Sequence, residues 1–362
     1  MYKNILLSCT LAIGDVVMAT SAAALLKKIY PDVKISFMAK SLAEEIVYNN
    51  PTIDHVFAPH YAQKKLSLKT MRQLVSDIRK EKFDLFISLD GKLRPALLAW
   101  MAGIPVRVGP TCLFGSNTRM PMLLTHNIVV GDFKSTHYVE VLRDMISQFT
   151  GSDLAAEPVL PSVSKDDAVI VEKLIDILGN HRHIIGLCVK TNPLKMWPKE
   201  QFVELINRLG TKYDAGIYIT GSDKYDQEYV EEVIAEASVP VANFCGRTSL
   251  PQLGELLRKT GLFISLDTAP MHIASAANTP MVAIFGSTAP LSVAPLSPKA
   301  VILAPSGLSC IPCIPNRIQV FPGISKRIAA SSCPDQVCMK QITVEMVETA
   351  ATRLLEEASA AG

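Results

Sequence analysis

The sequence contains no run of about 18 apolar residues, so it predicts no transmembrane helix. Aromatic residues make up only 6% of the chain, and 36 basic residues against 34 acidic ones leave a net charge of +2. The chain therefore lacks the base-stacking surface and the strongly basic domain that are typical of nucleic-acid-binding proteins. Neither a G-x-G-x-x-G nor a G-x-x-x-x-G-K-[ST] loop occurs, which disfavours an NAD(P) dehydrogenase and a P-loop NTPase.

The N-terminus also lacks the complete pattern of a signal peptide. Lys3 precedes the apolar run Asn4–Ala12, but Gly14 and Asp15 follow in place of a small-residue cleavage site, and a helical pattern then continues. We therefore expect a buried first strand and a cytoplasmic protein. The 362 residues, of which 49% are hydrophobic and 19% charged, are typical of a globular chain with two or three domains.

Short apolar segments alternate with amphipathic helical segments along the chain. This alternation predicts βαβ units with parallel sheets, and the stretch 151–165 with Pro158 and Pro161 is the expected linker. The predicted strands are Asn4–Cys9, Val33–Met38, Phe83–Leu89, His183–Val189, Ala215–Thr220, Val239–Phe244, Leu262–Leu266 and Pro280–Phe285. The sequence thus predicts an α/β protein of two doubly wound domains facing a cleft, with ligands beyond the carboxyl ends of the strands.

Polar residues follow several predicted strands. Asp15 comes after the first strand, at a helix start, where it either interacts favourably with the helix dipole or acts as a general base. Lys190, Thr191 and Lys195 follow a strand of the second half, and they either bind a diphosphate or form an ordinary polar loop. Asp223 follows the next strand, where it either holds a ribose or base edge or caps a helix.

The segment Leu262–His272 predicts a buried strand that ends in Asp267 and Thr268, followed by a helix with Pro270 in its first turn. The amides of that helix could bind phosphate, Asp267 could accept hydrogen bonds from sugar hydroxyls, and His272 is near enough for either group. Helix capping and a structural histidine are the alternative interpretations.

Two further groups of residues have open alternatives. The cysteines near the C-terminus either bind a structural metal ion such as zinc or iron, or are free thiols of a surface loop; they are Cys310, Cys313, Cys333 and Cys338. The basic segment Lys64–Lys82 is either a solvated helix face or a docking surface for an anionic acceptor or a membrane leaflet; Lys64, Lys65 and Lys69 lie at its start.

Taken together, several of these motifs resemble glycosyltransferase family 9, the ADP-heptose:lipopolysaccharide heptosyltransferases. The resemblance covers nearly the whole chain, and the motifs occur in the order of the family. They are Ile13–Val17, Lys190–Pro198, Gly246–Leu250, Ser265–His272 and Met281–Pro290.

The resemblance implies a GT-B fold of two Rossmann-like domains. Residues 1–160 would bind the acceptor, and residues 161–342 would bind the ADP-sugar and include a cysteine-rich loop at 308–340. The last helix, 343–362, would return to the N-terminal domain.

The resemblance also implies residue roles in an inverting heptosyl transfer that requires no catalytic metal. Asp15 matches the family's proposed base, Asp223 matches an acidic position near the ribose, and Thr248 lies where the adenine pocket is lined. The other implied donor-binding residues are Lys190, Thr191, Lys195, Asp267, Thr268, Ala269 and His272. The implied acceptor-binding residues are Gly14, Lys64, Lys65 and Lys69.

We therefore expect heptose transfer from ADP-heptose to an inner-core lipopolysaccharide sugar. The protein would work at the cytoplasmic face of the inner membrane in peripheral contact with it, without a nucleic-acid partner. No cofactor would be required for catalysis, and zinc or iron at the four cysteines would be structural. The alternatives are a heptosyltransferase that acts on protein Ser/Thr and a non-catalytic sugar-nucleotide-binding subunit.

Overall fold

The computed structural model describes residues 2–57, 67–113, 116–118, 121–131, 136–222, 224–311, 333 and 336–360. The chain divides into two compact units, Met1–Ser162 and Val163–Gly362. The expected domain boundary after residue 160 lies close to this division. Each unit has its own parallel sheet and is described by itself below.

The first unit contains a six-stranded parallel sheet in the order β3-β2-β1-β4-β5-β8. A small antiparallel pair, β6 and β7, lies outside it. The strands are β1 (Asn4–Ser8), β2 (Lys34–Met38), β3 (His55–Phe57), β4 (Leu85–Ser88), β5 (Val106–Pro110), β6 (Cys112–Leu113), β7 (Ser116–Asn117) and β8 (His126–Ile128). Strands β1 and β4 are buried on both faces, which explains why their sequences are continuous apolar runs.

The second unit repeats this arrangement in the order β11-β10-β9-β12-β13-β14, and all the pairings are parallel. The strands are β9 (His183–Cys188), β10 (Ala215–Ile219), β11 (Ala242–Asn243), β12 (Leu262–Leu266), β13 (Met281–Ile284) and β14 (Ala300–Leu303). Strand β11 is shorter than the expected Val239–Phe244. Pro240 has no N–H to donate to a ladder, so pairing begins only after it.

Helices connect the strands, and the expected amphipathic segments form most of them. In the first unit they are α1 (Ile13–Ile29), α2 (Glu44–Val47), α3 (Leu68–Lys80), α4 (Leu93–Ala102) and α5 (Tyr138–Thr150). In the second they are α6 (Lys165–Leu178), α7 (Lys199–Lys212), α8 (Lys224–Glu236), α9 (Leu250–Arg258), α10 (Ala269–Ala276), α11 (Pro290–Val293), α12 (Val337–Lys340) and α13 (Val344–Ala360). Within the described ranges, none of the helices has both the length and the apolar character needed to cross a bilayer.

The final helix α13 packs on the second unit. Its neighbours are α7, β12, β13 and β14, and its apolar stripe, including Val347, Ala351 and Leu355, belongs to the core of that unit. This packing has a physical reason, because an apolar stripe at helical spacing covers the face of β12–β14, which is itself apolar. The return of this helix to the N-terminal domain, which the resemblance implies, stays a prediction.

Both sheets have the strand order 3-2-1-4-5-6 of dinucleotide-binding folds, in which the strand order reverses between the first and the fourth strand. The two strands that meet at this switch point are β1 and β4 in the first unit, and β9 and β12 in the second. At each of these switch points the connections leave in opposite directions, which opens a crevice at the carboxyl edge of the sheet. The candidate site residues are therefore to be sought after these four strands.

Candidate functional site

The loop after β1 leads directly into α1 and brings Asp15 to the switch point of the first sheet. Asp15 is the third residue of the helix and is only 4% exposed. Its Oδ2 accepts a hydrogen bond of 3.1 Å from the backbone N–H of Ala12. A carboxylate at this place interacts favourably with the helix dipole, and its position at the carboxyl edge of the sheet also suits a proton acceptor.

A second buried carboxylate, Asp90, follows β4 at the same edge. Its Oδ2 accepts hydrogen bonds of 2.6 Å from both the N–H and the Oγ1 of Thr10. Its Oδ1 accepts a bond of 3.1 Å from the backbone N–H of Lys92. The two strands at the switch point are thus joined beyond their last residues by one side chain.

Two other titratable groups lie beside these carboxylates. Burial raises the pKa of the Cys9 thiol well above its usual value, and the negative charges of Asp90 and Asp15 raise it further. Burial is also the largest cause that raises the pKa of Tyr138, whose hydroxyl donates to the carbonyl oxygen of Leu89 at 3.0 Å. Both groups stay protonated near neutral pH, so the carboxylates are the groups of this cluster that can accept a proton.

The expected acceptor-binding residues are spread over the first unit. Gly14 is buried in the first turn of α1. Lys69 is exposed in the first turn of α3. Lys64 and Lys65 lie outside the described residues. An acceptor role for these four residues stays a prediction.

In the second unit a buried ion pair joins the loops after β9 and β12. The Nζ of Lys195 lies 2.5 Å from Oδ2 of Asp267, and the two side chains are 8% and 1% exposed. The same Oδ2 accepts a hydrogen bond of 2.7 Å from Oγ1 of Thr288, which follows β13. Residues from three strand ends therefore converge on one carboxylate.

The other expected phosphate and sugar residues lie around this pair. The hydroxyl of Thr191 donates to the backbone carbonyl of Asp267 at 3.4 Å. Thr268 is the N-cap of α10, Ala269 is its first residue, and His272 is buried in the same helix. The structure thus brings together Thr191, Lys195, Asp267 and the start of α10. A donor-binding role for these residues stays a prediction.

The sequence predicted three further donor residues. The Nζ of Lys190, which is only half-buried, lies 5.6 Å from the ring centroid of Tyr229. Thr248 is half-buried just before the cap of α9, and no described hydrogen bond joins it to Asp267. Asp223 lies outside the described residues. Their contacts with a nucleotide stay predictions.

Trp197 explains why the loop after β9 adopts one conformation. Its side chain is fully buried, and Nε1 donates to the carbonyl oxygen of Ile342 at 2.7 Å. Its ring meets that of Phe202 edge to face at 4.8 Å, and Pro198 is the N-cap of α7. The indole therefore anchors the loop that carries Lys195 on the core of the unit.

The described cysteines near the C-terminus do not support the expected zinc or iron site. Cys310 is exposed, Cys333 is half-buried and Cys338 is buried, while Cys313 lies outside the described residues. Among the described side chains, no group of three or more His, Cys, Asp or Glu is arranged to hold a metal ion. The short helix α12 turns Cys338 and Met339 into the core of the second unit, which gives this thiol a packing role.

Two side chains of these clusters, Asp90 and Thr288, were absent from the sequence-based candidates. Asp90 directly follows the predicted strand Phe83–Leu89. A carboxylate directly after a buried strand was the feature that singled out Asp267, and the same feature could have identified Asp90. Thr288 follows the predicted strand Pro280–Phe285 within the matched segment Met281–Pro290. Only the fold shows that both side chains bond to residues of a neighbouring strand end.

The sequence profile of glycosyltransferase family 9 (heptosyltransferase) matches residues 71–319. The chain is 26% identical over 281 residues to lipopolysaccharide heptosyltransferase 3 of Escherichia coli strain K12. The aligned region covers 76% of this chain and 80% of that protein. Its fold is similar to the glycosyl transferase family 9 structure from Veillonella parvula DSM 2008, with a TM-score of 0.82, 21% identity and 98% of both chains covered. It is also similar to E. coli ADP-heptose lps heptosyltransferase II, with a TM-score of 0.73, 23% identity and 99% of both chains covered.

These likenesses confirm the expected GT-B architecture of two parallel-sheet α/β units. The profile match spans well over half of the chain and includes the loops after β9, β12 and β13. The chain belongs to glycosyltransferase family 9 (heptosyltransferase).

Proposed function

We propose that this protein transfers heptose from ADP-heptose to an inner-core lipopolysaccharide sugar, with inversion and without a catalytic metal. The observation that carries the proposal is Asp15, a buried carboxylate at the start of α1 and at the switch point of the first sheet. Membership of the family supports heptosyl transfer. The names of the relatives, which are lipopolysaccharide heptosyltransferases, support the donor and the acceptor class.

In the proposed reaction Asp15 is the general base. It takes the proton of the acceptor hydroxyl while that oxygen forms a bond to the anomeric carbon of the heptose. The bond between this carbon and the diphosphate oxygen breaks on the opposite face, and both bonding electrons leave with ADP. Attack opposite the leaving group inverts the anomeric configuration.

The second unit is suited to the leaving diphosphate. Lys195 neutralises Asp267, so an anionic ligand at this edge is not repelled by an uncompensated carboxylate. Lys190 and the amides at the start of α10 supply positive charge and hydrogen-bond donors to the diphosphate as it leaves. Asp267 retains acceptor capacity for sugar hydroxyls, because an ionised carboxylate has about four lone-pair sites.

The proposal extends to the place of action, the cytoplasmic face of the inner membrane in peripheral contact with it. Lys69, exposed at the start of α3, supports an anionic acceptor. A lipopolysaccharide core acceptor and a protein Ser/Thr acceptor are distinguished by assaying purified core oligosaccharide and protein extract with the same donor. Transfer to protein alone would keep the donor assignment and overturn the acceptor.

The catalytic role of Asp15 is tested with Asp15→Asn, which keeps the size of the side chain and removes the basic carboxylate. We expect kcat to fall by about 10²- to 10⁴-fold while ADP binding stays within about twofold. Asp32→Asn, at an exposed position of the same unit, is the matched control and should retain full turnover. Unchanged turnover in Asp15→Asn would exclude the carboxylate as the base.

The donor is tested by calorimetric titration of the purified protein with ADP, UDP, GDP and ADP-heptose. The proposal requires selective binding of ADP and ADP-heptose. A preference for UDP or GDP would overturn the heptose donor. The anomeric configuration of the product, read by NMR, tests inversion.

A further inference from the structure

Asp90 is a buried carboxylate whose described bonds all come from neutral donors. It is 2% exposed, and Thr10 gives it two hydrogen bonds of 2.6 Å to Oδ2. Its Oδ1 accepts from the backbone N–H of Lys92 at 3.1 Å and from Oγ of Ser88 at 3.4 Å. A buried ionised group held by amide and hydroxyl donors forms short, strong, directional bonds, which fix the segments that donate them.

The segment that Asp90 fixes is the one that carries Asp15. Thr10 is separated from α1 by only two residues, and the next bond in the series runs from the N–H of Ala12 to Asp15 at 3.1 Å. The bonds Asp90–Thr10 and Ala12–Asp15 therefore connect the end of β4 to the carboxylate at the start of α1. A loop held at both ends in this way presents Asp15 in one orientation.

The two carboxylates also share the same surroundings. Their charges both raise the pKa of Cys9 and of Tyr138, in each case after the effect of burial, so all four groups lie within electrostatic reach. Two other titratable side chains lie at this end of α5. They are His137, whose Nδ1 accepts the N–H of Val139 at 3.2 Å, and Glu140, which pairs with Arg143 at 2.9 Å.

We propose that Asp90 is a positioning residue for the transfer reaction, which orients Asp15 through Thr10. This inference rests on the proposed role of Asp15 as the base. Asp90 itself takes no proton in the reaction. Its contribution is the geometry of the Thr10 loop.

The test uses Asp90→Ala and Asp90→Asn in the full chain. We expect Asp90→Ala to lower kcat by about 100-fold with the KM for ADP-heptose unchanged, because a misplacement of about 1 Å can cost that factor. Asp90→Asn keeps one acceptor oxygen and should recover part of this loss. A loss of kcat at unchanged KM, with partial recovery in Asp90→Asn, is a split that a merely structural residue would not produce.

Asp84→Ala is the matched control. Asp84 also joins β1 to β4, but at the opposite edge, where its carboxylate accepts the N–H of Lys3 at 2.7 Å and that of Asn4 at 3.2 Å. Its removal should affect thermal stability while kcat stays unchanged. If Asp90→Ala does not fold, the kcat and KM of Asp90→Asn decide the question.

Asp15→Asn separates this inference from the proposed function. In that background the Asp90 substitutions should cause no further loss of kcat, because the two residues act as one unit. Full turnover of Asp15→Asn would overturn the proposed function. Inactive Asp15→Asn together with fully active Asp90→Ala and Asp90→Asn would overturn the inference alone.

Discussion

At the scale of single residues, the least exposed charges of the second unit are paired with each other. Lys195 and Asp267 are nearly inaccessible to solvent, and Thr288 satisfies the same carboxylate oxygen. Removing two charges from water is costly, and their attraction offsets that cost only while both are present. The pair is therefore sensitive to the loss of either member.

We expect Lys195→Met to destabilise the second unit by about 3–5 kcal/mol, because Asp267 then keeps a buried charge without its cation. The double variant Lys195→Met/Asp267→Asn should regain much of this loss, since no buried charge remains. Both values are measured by urea denaturation followed through Trp197 fluorescence. Lys199→Met is the control, because its partners Glu232 and Glu236 are exposed and its loss should cost far less. A double variant as unstable as the single one would contradict the argument.

At the scale of secondary-structure elements, two helix caps of the second unit are joined to each other. Ser164 and Asp167 form a capping box at the start of α6, and Ser249 and Gln252 form another at the start of α9. Nε2 of Gln252 then donates to Oδ1 of Asp167 at 2.7 Å. Because α6 packs against α9, this bond fixes the N-termini of the two helices relative to one another.

The junction of the caps predicts a pH-dependent stability. The hydrogen bond from Ser164 is the largest cause that lowers the pKa of Asp167, followed by that from Gln252. A lowered pKa in the folded state contributes stability above the unfolded value, and this contribution is lost as the pH falls through the folded value. Asp167→Asn should therefore lower Tm most at neutral pH, and the difference from the unchanged protein should shrink below about pH 4.

Thermal unfolding followed by circular dichroism from pH 3 to pH 7 measures this difference. Asp166→Asn is the control, because the carboxylate of Asp166 also lies in the first turn of α6 but takes no part in the described capping bonds. Its effect on Tm should be smaller at every pH. An Asp167→Asn difference that stays constant down to pH 3 would show that the charge of Asp167 plays no part.

At the scale of the whole molecule, each unit has its own apolar core, and the chain contains one tryptophan in each. Trp100 is half exposed in the first unit, whereas Trp197 is fully buried in the second. The final helix α13 belongs to the second core, and Arg208 of α7 forms ion pairs with its Glu345 and Glu348. The stability of the second unit therefore depends on the last 17-residue helix of the chain.

We expect a chain that ends at Thr343 to unfold its second unit and keep the first. Loss of α13 exposes the apolar faces of β12 and β13, so the emission of Trp197 should shift to longer wavelength. ADP binding should be lost, and limited proteolysis should leave a fragment of the size of the first unit. A chain that ends at Glu357 is the control and should behave as the full chain. Retention of ADP binding without α13 would contradict this assignment.

The fold class, the buried strands and the polar loops after them could be predicted from the sequence alone. Buried parallel strands read as continuous apolar runs, so β1, β4, β9, β10, β12 and β13 were recognisable without neighbours, and the loops after them could be singled out. The spacing within Lys190–Pro198 and Ser265–His272 carried the resemblance to the family. These features can be predicted because each depends on the types and spacing of residues within one short segment of the chain.

Which of these residues are in contact with one another is visible only in the folded chain. The pair Lys195–Asp267 spans 72 positions and the bond Thr10–Asp90 spans 80, and no local pattern specifies partners at such separations. The shortening of β11, the place of α13 on the second unit and the burial of Cys338 likewise depend on what packs against them. The two long-range contacts form because the strand order places the end of β1 beside that of β4, and the end of β9 beside that of β12.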